Sequence, residues 1–114
     1  MNYLELLSKL IAFDTTSRNS NRELIDFIAE YLAKYGISSH LSLSSCQTKA
    51  NLVATLPAAD GSLVGGLVLS GHTDVVPVDG QNWSYPPFAL TTLDGKVYRR
   101  GTCDMKGFIA VVLS

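Results

Sequence analysis

The sequence predicts a mixed α/β fold. Two segments in the first 35 residues carry apolar side chains at helical spacing, the stretch from Ile37 to Leu43 alternates, and Asp94-Gly95 sits between two short β-compatible runs. Residues 3–13 place Leu4, Leu7, Leu10 and Ile11 on one helical stripe. Asp14 to Asn21 is a polar loop. Ser20 and Glu23 then fit an S-x-x-E capping box, in which each side chain satisfies the other's free backbone N–H. The helix that follows presents Leu24, Ile28, Tyr31, Leu32 and Tyr35, and Gly36 stands where a helix stops.

Strands come next. Ile37, Leu41 and Leu43 share one face of the first, with Ser38, His40 and Ser42 on the solvent side. Asn51 to Leu56 is a second strand, ended by Pro57. After the turn signals Asp60-Gly61 and Gly65-Gly66, the run Leu67-Val68-Leu69 reads as a buried third strand. The chain is irregular beyond Pro77, through Trp83 and Pro86-Pro87. Leu90 to Tyr98 is a hairpin about Asp94-Gly95. A helix opens at Met105 or Lys106, placing Asp104 at its N-terminal end, where a carboxylate meets the positive end of the helix dipole.

Composition excludes several functions. The chain has 114 residues, 46% of them apolar, with nine basic and ten acidic side chains and a net charge of −1. That suffices for a core, and it offers no field to gather nucleic acid or an anionic membrane. Cys46 and Cys103 make neither a disulfide framework nor a CxxC zinc ribbon. No leader pattern opens the chain and no run reaches the roughly 18 apolar residues of a membrane span. The expectation is a soluble cytoplasmic protein with no nucleic-acid or membrane partner. The closing run Phe108 to Leu113 is apolar and lacks a stop signal, which suggests the N-terminal fragment of something longer.

Two polar clusters could carry chemistry. In Ser70-Gly71-His72-Thr73-Asp74-Val75-Val76-Pro77, a histidine follows the third apolar run, and ligands bind beyond the carboxyl ends of strands in open α/β sheets. His72 is a candidate zinc ligand. Asp74, two residues on, points to the same side in extended chain and is a candidate to orient the ring. The bland alternative is a loop histidine beside a solvated aspartate. In Arg100-Gly101-Thr102-Cys103-Asp104-Met105-Lys106-Gly107, Asp104 is either a metal-bridging carboxylate or an ordinary N-cap. Cys103 is a further ligand or a small buried thiol. Arg99, Arg100 and Lys106 either attract a substrate carboxylate or form a solvated basic cluster. Trp83 and Phe88 either rim a pocket or pack an irregular loop.

Those two clusters, with Asp94-Gly95-Lys96-Val97-Tyr98 between them and Leu10 to Ser17 before them, resemble the M20 family of zinc amidohydrolases. The resemblance covers nearly the whole chain. It implies the N-terminal part of a catalytic domain with a sheet between helices, incomplete within residues 1–114, and with the dimerisation domain and remaining catalytic segment elsewhere. It implies that His72 and Asp104 bind metal, Asp104 bridging two Zn2+ ions with Co2+ a possible substitute, and that Asp74 is the catalytic support of His72. The substrate implied is a small N-acyl amino acid, and the wording is nearest the branch that removes the acetyl group of N-acetylornithine. Desuccinylases, carboxypeptidases and aminoacylases are close relatives, and a truncated non-catalytic or interaction module is the reading of another class. The full-length protein is expected to be a homodimer. The general base, a glutamate in this family, and the other ligands are expected beyond Ser114, with Glu5, Glu23 and Glu30 left as helix-surface residues. Arg99 stands where the family commonly has a glycine; it either strains a position needing positive φ or is a surface change.

Overall fold

A computed structural model describes all 114 residues. The elements in order are α1 (Tyr3–Ala12), α2 (Arg22–Ala33), β1 (Ser39–Leu43), β2 (Ala50–Ala54), β3 (Thr91–Leu93), β4 (Lys96–Tyr98) and α3 (Gly107–Leu113). They fall into two compact units, one of Met1–Ser20 with Ser70–Ser114 and the other of Asn21–Leu69. The expected mixture of helix and strand is present. A complete sheet is not, because the strands form two separate antiparallel pairs, β1 with β2 and β3 with β4.

In the first unit, α1 begins at a capping box that the sequence reading missed. Asn2 Oδ1 accepts from the Glu5 backbone N–H at 3.0 Å, and Glu5 Oε2 accepts from the Asn2 N–H at 2.9 Å. The buried stripe is Leu6, Leu7, Leu10 and Ile11. Leu4, expected on that stripe, is instead among the exposed apolar side chains. Helix α3 lies against α1 and buries Ala110 fully. The hairpin forms as expected. Asp94 (φ 51°) and Gly95 (φ 71°) both take the left-handed conformation of a tight two-residue turn, with Leu93 opposite Lys96.

In the second unit, α2 packs on β1 and β2 through Leu24, Ile25, Ile28, Tyr31 and Leu32. Its expected capping box does not form, since the N-cap is Asn21 rather than Ser20 and caps nothing with its side chain. Asn21 is engaged elsewhere: its amide donates to the Ala50 carbonyl at 2.9 Å, and its oxygen accepts from the Ala50 N–H at 2.9 Å. That exchange pins the first residue of β2 to the start of α2. The helix ends as expected near Gly36 (φ 74°), with the Ile37 N–H returning to the Leu32 carbonyl. Tyr35, however, is exposed. Strand β1 runs antiparallel to β2 from Ser39 opposite Ala54 to Leu43 opposite Ala50, with His40 exposed as expected.

The expected third strand is absent. Leu67 is 83% and Val68 89% exposed, and residues 63–69 form no ladder. An apolar run becomes a strand only when another strand takes up its backbone N–H and C=O groups, and none is offered to this one. No helix is long and apolar enough to cross a membrane.

Candidate metal centre

The backbone leading into the site is held by the segment after α1 rather than by a preceding strand. Asp14 Oδ1 accepts from the Thr16 backbone N–H (3.0 Å) and hydroxyl (2.6 Å), folding a local turn. The turned segment pairs with residues 73–75 as one parallel bridge. The Val75 N–H donates to the Thr15 carbonyl, and the Ser17 N–H to the Val75 carbonyl, each at 3.0 Å. The Thr15 hydroxyl adds a 2.6 Å bond to the Thr73 carbonyl. The sequence reads as a plain loop from Asp14 to Asn21. Its β-branched Thr15-Thr16 pair was the available signal for extended backbone.

On this support, His72 and Asp74 face one another. His72 Nδ1 is 3.0 Å from the Asp74 carbonyl oxygen and 3.2 Å from Asp74 Oδ1. The other Asp74 oxygen, Oδ2, accepts from the Ser17 hydroxyl at 2.7 Å. Asp74 is therefore gripped on both sides. The Ser17 hydroxyl and the nearby His72 hold its carboxyl below the usual carboxylate range.

The second cluster arrives from the far side of the hairpin. Gly101 has φ 87°, and a Cβ there would stand 2.8 Å from Val75 Cγ1. Residues Thr102–Lys106 form a wide turn closed by the Lys106 N–H on the Gly101 carbonyl at 2.8 Å, broken by non-helical dihedrals at Asp104 and Met105. A Cβ on Gly107 would meet the Thr102 carbonyl oxygen at 2.3 Å, so only glycine allows α3 to start so close to the turn. Asp104 is thus not the N-cap of α3, which is Lys106. It projects from the turn, and its Oδ1 lies 2.8 Å from His72 Nε2.

One imidazole consequently meets a carboxylate at each ring nitrogen. Burial works to lower the His72 pKa, but the bonds to Asp104 and Asp74 and their charges outweigh it and raise the value. The His72 and Asp104 side chains are 48% and 83% exposed, so the pair opens to solvent. A cleft beside it is lined by Val75, Val76 and residues 99–104.

The donor set fits a zinc ion in part. Tetrahedral zinc with ligand distances near 2.0 Å keeps neighbouring donor atoms about 3.3 Å apart. His72 Nε2 and Asp104 Oδ1 need only separate by roughly half an ångström to accept one between them, and the exposed Asp104 has room to move. Nδ1 is already committed to Asp74, which leaves Nε2 as the coordinating nitrogen. Two donors do not complete a zinc site, and no third His, Cys, Asp or Glu converges with them.

The other sequence candidates fall outside this pair. Cys103 is exposed rather than a buried thiol, and it lines the cleft beside the pair. Arg99 does not have positive φ and is buried, so neither the strained position nor the surface change describes it. Its side chain is 8% exposed, lies 4.9 Å from the Tyr85 ring centre and donates to the Thr91 hydroxyl. Arg100 lies 5.2 Å over the Trp83 ring, so Trp83 packs its loop through that arginine. Lys106 is fully buried and belongs to no solvated basic cluster. Desolvation pulls its pKa down to about 8 against the charge of Asp14.

Comparison with known proteins places these observations. Residues 68–114, which hold both clusters, match the model of peptidase family M20/M25/M40. Over 97% of its length the chain is 43% identical to acetylornithine deacetylase of Pasteurella multocida (strain Pm70). It is 42% identical to the enzyme of that name from Proteus mirabilis (strain HI4320) and 37% to that from Shigella sonnei (strain Ss046). The chain spans about 30% of the length of each of these relatives.

Proposed function

The chain belongs to peptidase family M20/M25/M40, and from that premise we propose that residues 1–114 are the N-terminal portion of the catalytic domain of a zinc-dependent amidohydrolase acting on N-acetylornithine. The observation that carries this reading is the double engagement of His72, with Nδ1 on Asp74 and Nε2 at 2.8 Å from Asp104. The name shared by the three relatives supports the acetyl substrate. In this reading the complete protein adds the remaining metal ligands, the general base and a dimerisation domain.

The residues present divide the work. His72 would offer Nε2 to a metal ion, and Asp104 would offer a carboxylate oxygen beside it. Asp74 accepts a hydrogen bond from the Nδ1–H at its carbonyl oxygen, with Oδ1 close by, which fixes the tautomer and strengthens Nε2 as a metal ligand. Ser17 holds the second oxygen of Asp74, so that the carboxylate cannot turn away from the ring. When bound, zinc lowers the pKa of a water molecule toward neutrality and polarises the amide carbonyl. Glu5 is engaged in its capping box, and the base that takes the water's proton is assigned to a carboxylate outside these 114 residues.

The test is hydrolysis of N-acetylornithine by the full-length protein, followed as acetate release. Activity should vanish with a chelator and return with zinc or cobalt. Turnover of a succinylated amino acid in place of the acetylated one would move the protein to another branch of the family. Absence of any amide hydrolysis by the zinc-loaded protein would favour a non-catalytic role.

A further inference from the structure

We propose that Lys106 is a positioning residue, whose buried ammonium locks the Asp104 turn onto the end of α1 and so sets Asp104 against His72. The proposal rests on the reading of His72 and Asp104 as metal ligands. Lys106 is 0% exposed, and its Nζ donates to the carbonyls of Leu10 and Phe13, each at 2.8 Å. Those carbonyls belong to the last turn and C-cap of α1, where helix carbonyls lack partners within the helix and the dipole is negative. A leucine or methionine would fill the same space without the penalty of burying a charge. A lysine there does something that packing alone does not require.

The connections of α1 show what that is. Immediately after Phe13, residues Thr15 and Ser17 carry the backbone of residues 73–75 through three bonds, Thr15 Oγ1 to the Thr73 carbonyl among them. The His72-Asp74 arm is thus registered to the end of α1. Lys106, two residues past Asp104, registers the other arm to the same helix end, and its own N–H closes the turn on Gly101 at 2.8 Å. Remove the ammonium, and Asp104 keeps its chemistry while losing the reference that places it.

The experiment compares zinc affinity, by chelator competition, in the full-length protein and its Lys106→Met, Lys106→Gln, His72→Ala and Leu24→Ala variants. Metal-free thermal stability is recorded alongside. Lys106→Met should weaken zinc binding by about 10–100-fold, the range for losing a group that orients a ligand. Lys106→Gln, which keeps a donor for one carbonyl, should fall between it and wild type. Leu24→Ala serves as the control for instability: it should lower the melting temperature and leave zinc affinity near wild type. Wild-type affinity in Lys106→Met, with affinity lost in His72→Ala, would overturn the positioning role and spare the metal site. Unchanged affinity in His72→Ala would remove the site and this proposal with it. Failure of both lysine variants to fold would make Lys106 a core residue only, and would likewise overturn the proposal.

Discussion

Ser17 donates its hydroxyl to Asp74 Oδ2 at 2.7 Å across 57 positions of sequence, and Asp74 in turn holds the ring of His72. A residue outside both polar clusters therefore sets the orientation of the first ligand.

Ser17→Ala should release one oxygen of Asp74. Its carboxyl pKa should rise toward the ordinary value, since the Ser17 bond is the largest cause of its depression. Because folding holds that pKa below its unfolded value, the associated stability exists above the ordinary carboxylate range and is lost as pH falls through the folded value. The variant should thus be less stable than wild type at neutral pH, and the two should converge in acid. Denaturation at pH 7 and pH 3 checks this, and an equal gap at both would contradict it. Turnover by the full-length variant should drop several-fold, on the order of 1 kcal/mol for one hydrogen bond.

Gly101→Ala should be far more damaging than Gly95→Ala. Both glycines have positive φ, 87° and 71°, so each alanine carries the left-handed penalty of roughly 1–2 kcal/mol. A Cβ on Gly95 meets nothing within 4 Å, whereas one on Gly101 presses on Val75, which is 3% exposed. The clash adds about 1–3 kcal/mol. Denaturant midpoints of the two variants measure the difference, and equal midpoints would mean that the turn yields freely.

Cys46 should be the reactive thiol at neutral pH. It is exposed, and hydroxyls of Ser44 (3.5 Å) and Thr48 (3.0 Å) stabilise its thiolate and lower its pKa to about 7. Iodoacetamide labelling, resolved by peptide mass spectrometry, should rise through a midpoint near that value. Ser44→Ala should shift the midpoint upward. A wild-type midpoint near the free-cysteine value of about 8.5 would contradict the assignment.

What was legible in the sequence was local. The stop of α2 near Gly36 and the Asp94-Gly95 turn need only their neighbours, and both formed. Asn21 shows where locality ends, because its side chain bonds a strand residue 29 positions away. The run Leu67 to Leu69 carried the right signal for burial, but a strand needs a partner and this one has none. Lys106 was hidden for another reason: lysine is almost never fully buried, so composition argued for solvent, while two carbonyls at the end of α1 argued otherwise. The pairing of His72 with Asp104, 32 positions apart, followed from the wording of two motifs. Spacing alone left both residues with ordinary alternatives.

If His72 and Asp104 hold a metal ion together, the zinc content of the protein depends on both. The full-length protein should be purified, loaded with zinc, desalted and assayed by elemental analysis beside His72→Ala and Asp104→Asn. The wild type should hold zinc and each variant should lose most of it, with both variants still folded by circular dichroism. Zinc content equal to wild type in both folded variants would contradict it.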